Sequence, residues 1–193
     1  MKSLCALALV GCVPSVSAGY DTYTNLRGPV ANMVNQPAAT ARQETAPPVA
    51  DTRSYSLAFG GSFGKSRMGI EVGTHLHEVN GASFSLPESI DGVDPTSPRY
   101  LLATTSIDVR FRWLDLRYLV AEVHLGPAGG VLVDRGLIDA QLGQGFRFGA
   151  TIAGKLGPLQ TFADLYETEM VFNDGAAKGV SKLAGLTVGL ALR

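Results

Sequence analysis

The sequence predicts an all-β protein, an antiparallel up-and-down β-barrel of about eight strands. The first observation is the segment Leu101–Trp113, in which apolar and polar residues alternate. Ile107 and Val109 fall on one face of this segment, and Asp108 and Arg110 fall on the other. A period of two sustained over this length indicates a long β-strand whose two faces meet different surroundings.

The second observation is that this period recurs along the chain. Seven strands are predicted from it: Arg53–Gly64, Met68–Asn80, Leu101–Trp113, Arg117–Gly126, Gln141–Lys155, Leu159–Asn173 and Ser181–Arg193.

The third observation is that the connections alternate between tight turns and longer segments, with Gly81–Pro98 and Pro127–Ala140 as the two long loops. Short turns at one end and long loops at the other are typical of bacterial barrels, which also have an even number of strands. An eighth strand is therefore required. It is expected either in Gly19–Val34, where Tyr20, Thr22 and Thr24 share a face, or hidden at Val131–Val133.

The composition favours an exported β-protein over a cytosolic enzyme. Charged residues make up 17% of the 193 residues, against roughly 25% in ordinary soluble domains, and glycine is abundant at 23 residues. The formal net charge of -1 gives no electrostatic reason to expect binding to nucleic acid.

The N-terminus predicts an export leader of one of two kinds. Residues 1–18 read as a signal peptide, with a short apolar run and small residues for cleavage at Val16–Ala18. Alternatively, Leu9–Cys12 matches a lipobox, so that residues 1–11 are the leader and Cys12 is the lipidated first residue. Both patterns are present, and the sequence leaves both interpretations open.

The rest of the chain divides into two parts. Residues 19–52 are rich in Pro, Ala and Thr in their second half and are predicted to be a tether or loop. Residues 53–193 form the predicted barrel domain. Because the only cysteines are Cys5 and Cys12, we expect no disulfide in the mature chain.

Over Arg53–Arg193 the chain resembles the small bacterial outer-membrane β-barrels of the OmpA/OmpX kind. The resemblance is carried by the leader, the long alternating strands, the loop lengths and a closing strand, Leu183–Arg193, that stops at the end of the sequence. It departs from those barrels at Leu192 and Arg193, where they usually end in an aromatic residue. The resemblance implies a location in the bacterial outer membrane.

Alternation alone does not decide which face of a barrel is inside. A soluble barrel buries the apolar face, whereas a membrane barrel turns it toward lipid. The polar face here is rich in small residues and in charges of both signs, which suits a narrow lumen with paired charges. We therefore expect the following charged residues to line the lumen: Glu71, Asp108, Arg110, Arg112, Glu122, Arg147, Glu167 and Glu169.

The candidate chemistry is weak. His75 and His77 share a strand face with Glu71, and two histidines with a carboxylate can ligate zinc. However, any strand with alternate polar residues gives this spacing, so we expect lumen groups bonded to neighbouring arginines and no metal. We likewise expect no catalytic or cofactor-binding residue. The glycine-rich stretch Gly60–Gly64 reads G-x-S-x-G, but it lies in a predicted strand with no helix after it, so it lacks the strand–turn–helix context of a nucleophile elbow.

The sequence thus predicts a non-enzymatic protein of the cell envelope with a structural, adhesive or docking role. Its expected partners are outer-membrane lipid and other envelope proteins, reached through the long loops. An outer-membrane lipoprotein anchored at Cys12, with a soluble β-domain that binds a ligand, is the alternative. A lipid-modifying barrel enzyme is a third possibility.

Overall fold

Eight antiparallel strands close into a barrel, which confirms the predicted fold class. In the computed structural model, residues 12–31, 52–63, 66–79, 100–134, 139–173 and 178–192 are described. Each strand pairs with its neighbours in sequence, and the first strand pairs with the last. The strands are β1 (Cys12–Arg27), β2 (Thr52–Phe63), β3 (Met68–Val79), β4 (Tyr100–Asp115), β5 (Leu119–Asp134), β6 (Asp139–Leu156), β7 (Leu159–Phe172) and β8 (Gly179–Leu192).

The eighth strand required by the sequence is β1, and it begins earlier than expected. It covers Gly19–Arg27, in the stretch predicted as a tether, and also Cys12–Ala18, in the stretch predicted as a leader. Residues 1–11 and 32–51 lie outside the described chain. Whether any leader is removed stays a prediction.

A bulge in β1 changes which residues face the lumen. The β1–β8 register shifts between Asp21 and Tyr23. As a result Tyr20 faces outward while Thr24 is buried inside. The prediction that Tyr20, Thr22 and Thr24 share one face is wrong, because an extra residue in one strand interrupts the period of two.

The predicted long loop Pro127–Ala140 is also wrong, as is the alternative of a separate strand at Val131–Val133. The strand β5 continues through Pro127 to Asp134, and only residues 135–138 connect it to β6. The β4–β5 register is the same on both sides of the proline, with Ser106 opposite Ala128 and Val109 opposite Leu125. A single proline removes one donor from the ladder without ending it.

The barrel has two different ends. The turn end holds the tight connections, such as Leu116–Tyr118, and Gly157–Pro158, where Gly157 has a φ of 69°. The loop end holds the connections after β1, β3, β5 and β7. No helix in the described part of the chain is long and apolar enough to cross a membrane.

The barrel is apolar outside and polar inside. Ile107 and Phe111 are 53% and 44% exposed, whereas Asp108 and Arg147 on the opposite face are only 3% and 5% exposed. This confirms the predicted assignment of faces for the central strands. Trp113 and Tyr118 also face outward, beside the turn end.

The strand β7 reverses the predicted faces. Its lumen side carries Tyr166, Met170 and Phe172, which are buried, so Glu167 and Glu169 face outward near the loop end. The prediction that these two glutamates line the lumen is therefore wrong. The hydrophobicity pattern predicts the wrong face because the lumen side of β7 carries both kinds of residue. Its large apolar side chains fill the lumen, and Asp164 on the same side forms an ion pair with Arg147.

Those apolar side chains belong to a cluster, here called the apolar plug, that fills the lumen at the loop end. Glycines leave room for them, since a Cβ at Gly130 would lie 2.6 Å from the sulfur of Met170. Gly28, with a φ of 89°, turns the chain so that Val30 is buried in the plug and its amide donates to the hydroxyl of Ser181. The members of the plug are Leu26, Val30, Ala31, Val79, Tyr100, Leu102, Leu132, Tyr166, Met170, Phe172 and Leu183.

We predict that Gly126→Ala destabilises the barrel by about 1–3 kcal/mol, the usual cost of overpacking. A Cβ at Gly126 would lie 1.9 Å from the carbonyl oxygen of Ile107, so the β4–β5 ladder must shift. Urea unfolding followed by fluorescence of the single tryptophan, Trp113, measures the effect. The matched control is Gly129→Ala on the same strand, where the nearest atom is 3.9 Å away. Equal stability of the two variants would contradict the close strand approach.

Candidate functional site

The charged side chains of the lumen form three groups stacked between the turn end and the apolar plug. The group nearest the turn end, here called the turn-end cluster, contains three acidic and three basic residues. Its members are Glu71, Arg110, Arg112, Asp115, Glu122 and Lys155.

The turn-end cluster is balanced in charge. Arg110 lies between Glu71 and Glu122, with its Nε atom 3.0 Å from the Glu122 carboxylate. Arg112 donates from Nε to the same carboxylate at 3.0 Å and from Nη1 to Asp115 at 3.1 Å. Because each guanidinium contacts two carboxylates, the cluster links β3, β4 and β5 without leaving an uncompensated buried charge.

The central cluster comprises Asp108, His124, Arg147 and Asp164. Arg147 donates from Nη2 to Asp164 at 3.0 Å, and its Nε atom is 3.8 Å from Asp108. Both ring nitrogens of His124 face carboxylates: Nε2 is 2.9 Å from Asp164 and Nδ1 is 3.5 Å from Asp108. A ring with both nitrogens protonated fits this arrangement, and the two acids then balance Arg147 and His124.

The third group, here called the Asp21 site, comprises Asp21, His75 and His77. The carboxylate accepts hydrogen bonds from Ser54, from the Tyr166 hydroxyl at 2.7 Å, and from Thr187. The Nδ1 atoms of His77 and His75 lie 3.7 and 4.0 Å from its Oδ2 atom. All three residues of the site are buried.

The sequence grouped the two histidines with the wrong carboxylate. Glu71 pairs with Arg110 instead, whereas Asp21 lies beside His75 and His77. Sequence reasoning missed Asp21 because it lies in β1, where the leader and tether predictions overlap the strand. The alternation of Gly19–Thr24 indicates a strand, but the bulge after Asp21 conceals which of its residues face the lumen.

Charged and polar side chains of the described residues line two cavities in the lumen. The larger, about 330 Å³, is near the turn end and is lined by residues that include Arg67, Arg112, Lys155 and Gln160. The smaller, about 40 Å³, lies among the central cluster and beside His75. The apolar plug lies between these cavities and the loop end.

Comparison with known proteins supports the fold and not a specific activity. No protein-family model matches the sequence, and no curated protein matches it. Among solved structures, the chain is similar to Neisserial surface protein A, with 12% identity, a TM-score of 0.58, and coverage of 94% of this chain and 98% of that one.

It is also similar to Ail, the attachment invasion locus protein of Yersinia pestis. That match has 13% identity and a TM-score of 0.51, and it covers 93% of this chain and 96% of Ail. A further similar structure is Ail in complex with the heparin analogue sucrose octasulfate, with 14% identity and a TM-score of 0.54.

The class of protein is therefore defined by its architecture. The chain has the fold of the small eight-stranded outer-membrane β-barrels, as its sequence predicted. Its lumen is lined by paired charges and holds a cluster of buried apolar side chains toward the loop end.

We predict that Arg147→Met costs about 3–5 kcal/mol in the free energy of unfolding, because it leaves Asp108 and Asp164 buried without their guanidinium partner. Urea unfolding at neutral pH measures the loss. The deficit should shrink as the pH is lowered, because protonation removes the uncompensated negative charge.

The control for this prediction is Lys182→Met. Lys182 pairs with Glu169 on the outside of the barrel, where its side chain is 49% exposed. Solvent screens such a pair, so its loss should leave the urea midpoint unchanged. Equal losses in the free energy of unfolding for the two variants would show that the ion pairs in the lumen stabilise the barrel no more than the exposed pair does.

Proposed function

We propose that the protein is an integral barrel of the bacterial outer membrane with a structural or docking role. The observation that carries this proposal is the continuous apolar surface around the outside of all eight strands. Each strand contributes outward apolar side chains, for example Tyr20, Phe59, Ile70, Val109, Leu125, Phe148, Leu165 and Leu190. Soluble monomers rarely expose apolar patches larger than a few hundred Å².

The limits of the apolar surface support the same proposal. Toward the loop end, Glu167 and Glu169 on β7 face outward, and both pair with Lys182 on β8. Toward the turn end, Trp113 and Tyr118 are exposed, as aromatic residues are at a membrane interface. In this orientation the tight turns face the periplasm and the longer connections face the exterior.

The interior supports a role without catalysis or transport. The chain has three histidines, and His75, His77 and His124 are all buried in the lumen. No histidine therefore remains for a Ser/His/acid site on the outer wall. Because the plug fills the lumen at the loop end, the loops and the outer rim are the parts left for contact with other envelope components.

We predict that Val109→Arg, in the middle of β4, destabilises the barrel folded in lipid vesicles by about 2–4 kcal/mol, as a charge on the lipid face does near the bilayer midplane. Val109 is 46% exposed on the outer surface. The control is Tyr118→Arg beside the turn end, which should cost only about 0–1 kcal/mol. If Val109→Arg instead leaves stability unchanged and improves solubility without lipid, the soluble-barrel alternative is correct.

Of the two predicted leaders, we propose that the one ending before Cys12 is used. Residues Cys12–Ala18 supply seven of the nine residue pairs between β1 and β2. Cleavage after Ala18 would remove them and open that seam of the barrel. Cleavage before Cys12 retains the whole strand and leaves the new N-terminus at the turn end, where an acyl chain can reach the periplasmic leaflet.

We expect the purified mature protein to have the mass of a chain that starts at Cys12 and carries lipid. Cys12→Ser should abolish the lipid mass and leave the precursor uncleaved. Cys5→Ser is the matched control, because the residue is removed with the leader and the mature mass should not change. A mature chain that starts at Gly19 without lipid would contradict this proposal.

A further inference from the structure

The Asp21 site contains buried polar atoms that lack partners. His77 is 0% exposed, and neither of its ring nitrogens makes a hydrogen bond within the described part of the protein. The Nδ1 atom of His75 is likewise without a hydrogen bond. Leaving such groups buried and unpaired costs free energy, so these nitrogens indicate a site for a missing partner.

The charge of the site indicates what kind of partner fits. Among the described residues, Asp21 forms ion pairs only with the two histidine rings, whereas the carboxylates of the central and turn-end clusters have arginine or lysine partners. With neutral rings the site therefore carries one uncompensated negative charge, which burial makes unfavourable. A bound cation would supply the missing charge.

We propose that Asp21, His75 and His77 bind a divalent transition-metal ion, with Zn²⁺ as the best fit. Two imidazoles and one carboxylate are a common donor set for zinc, and neutral imidazole discriminates against Mg²⁺ and Ca²⁺. The side chains of Asp21 on β1 and of the two histidines on β3 meet in the lumen, although the two strands are not neighbours in the sheet.

The distances are close to those that zinc requires. Ligand atoms about 2.0–2.2 Å from a tetrahedral zinc ion lie roughly 3.4 Å apart. The Oδ2 atom of Asp21 is 3.7 Å from Nδ1 of His77 and 4.0 Å from Nδ1 of His75, so these two pairs must close by about 0.3–0.6 Å. One ligand atom from each of the three residues lies within 4.8 Å of the other two. The nearly parallel rings, 10° apart, must also turn toward the ion.

Metal binding also requires one change of partner. A guanidinium nitrogen of Arg147 contacts the Nε2 atom of His75. When Nδ1 binds the metal, the ring proton moves to Nε2, and Arg147 must withdraw from that atom. The hydrogen bond to Asp164 is made by the other terminal nitrogen, Nη2, and the guanidinium lies over the Tyr166 ring, 4.2 Å from the ring centroid, so neither contact depends on the contact with His75.

The experiment measures zinc in the full chain refolded in detergent with Zn²⁺ and then freed of loose metal by gel filtration. We expect about one zinc per folded barrel and a higher unfolding temperature than in the metal-free protein, since binding stabilises the folded state. His77→Gln and Asp21→Asn should weaken zinc binding by more than about 100-fold, beyond the loss seen when an outer partner of a ligand is removed. His124→Gln, a buried histidine outside the site, should retain the zinc.

Heat-modifiable mobility on a gel identifies the folded fraction of each variant, so that loss of metal is scored only for folded barrels. Visible absorption of bound Co²⁺ gives a second measurement, expected for the wild type and His124→Gln and lost in His77→Gln. Absence of zinc from the folded wild type would overturn the proposal, and so would equal zinc in the wild type and His77→Gln. Neither outcome bears on membrane insertion, which the mobility assay and the Val109→Arg variant test separately.

Discussion

The structure depends on one constraint: charged side chains that enter the lumen must find partners there, because the outer surface is apolar. Most partners lie on another strand, and several lie across the lumen on strands that are not neighbours. Arg110 on β4 donates to Glu71 on β3 and to Thr151 on β6, and Arg147 on β6 joins Asp164 on β7 to His75 on β3. A one-residue slip would move these groups to the outside, so the ion pairs and the alternating pattern specify the same register.

The sequence predicted the features that depend on local alternation. It identified the barrel, the requirement for an eighth strand and the outward position of Ile107 and Phe111. It failed where a local rule was overridden. The proline at Pro127 does not end β5, the bulge after Asp21 reverses part of β1, and the apolar residues of β7 face inward because the loop end of the lumen needs filling. The Asp21 site could not be predicted, because Asp21 in β1 is more than fifty residues from His75 in β3 and no local spacing pattern links the two.

The order of the lumen groups suggests a division of roles within the barrel. The turn-end and central clusters account for their own charges, and the apolar plug closes the loop end. Among the described residues, neither ring nitrogen of His77 in the Asp21 site makes a hydrogen bond, and the Asp21 carboxylate forms ion pairs with the two histidines and with no arginine or lysine. Over the described residues, the interior therefore serves stability and, at the Asp21 site, holds the proposed metal ion. In the proposed function, the outward rim around Glu169 and Lys182 and the connections at the loop end are the parts that contact other molecules.

The most direct test of the inside-out arrangement is quenching of tryptophan fluorescence by brominated lipids. In a Trp113→Phe background, a single tryptophan at position 148 replaces Phe148, which is 44% exposed on the outer face of β6. The account predicts strong quenching of the folded protein by lipids brominated near the bilayer centre, and weaker quenching of the native Trp113, which lies near the turn end. If none of the brominated lipids quenches the tryptophan at position 148 in the folded barrel, the membrane assignment is contradicted.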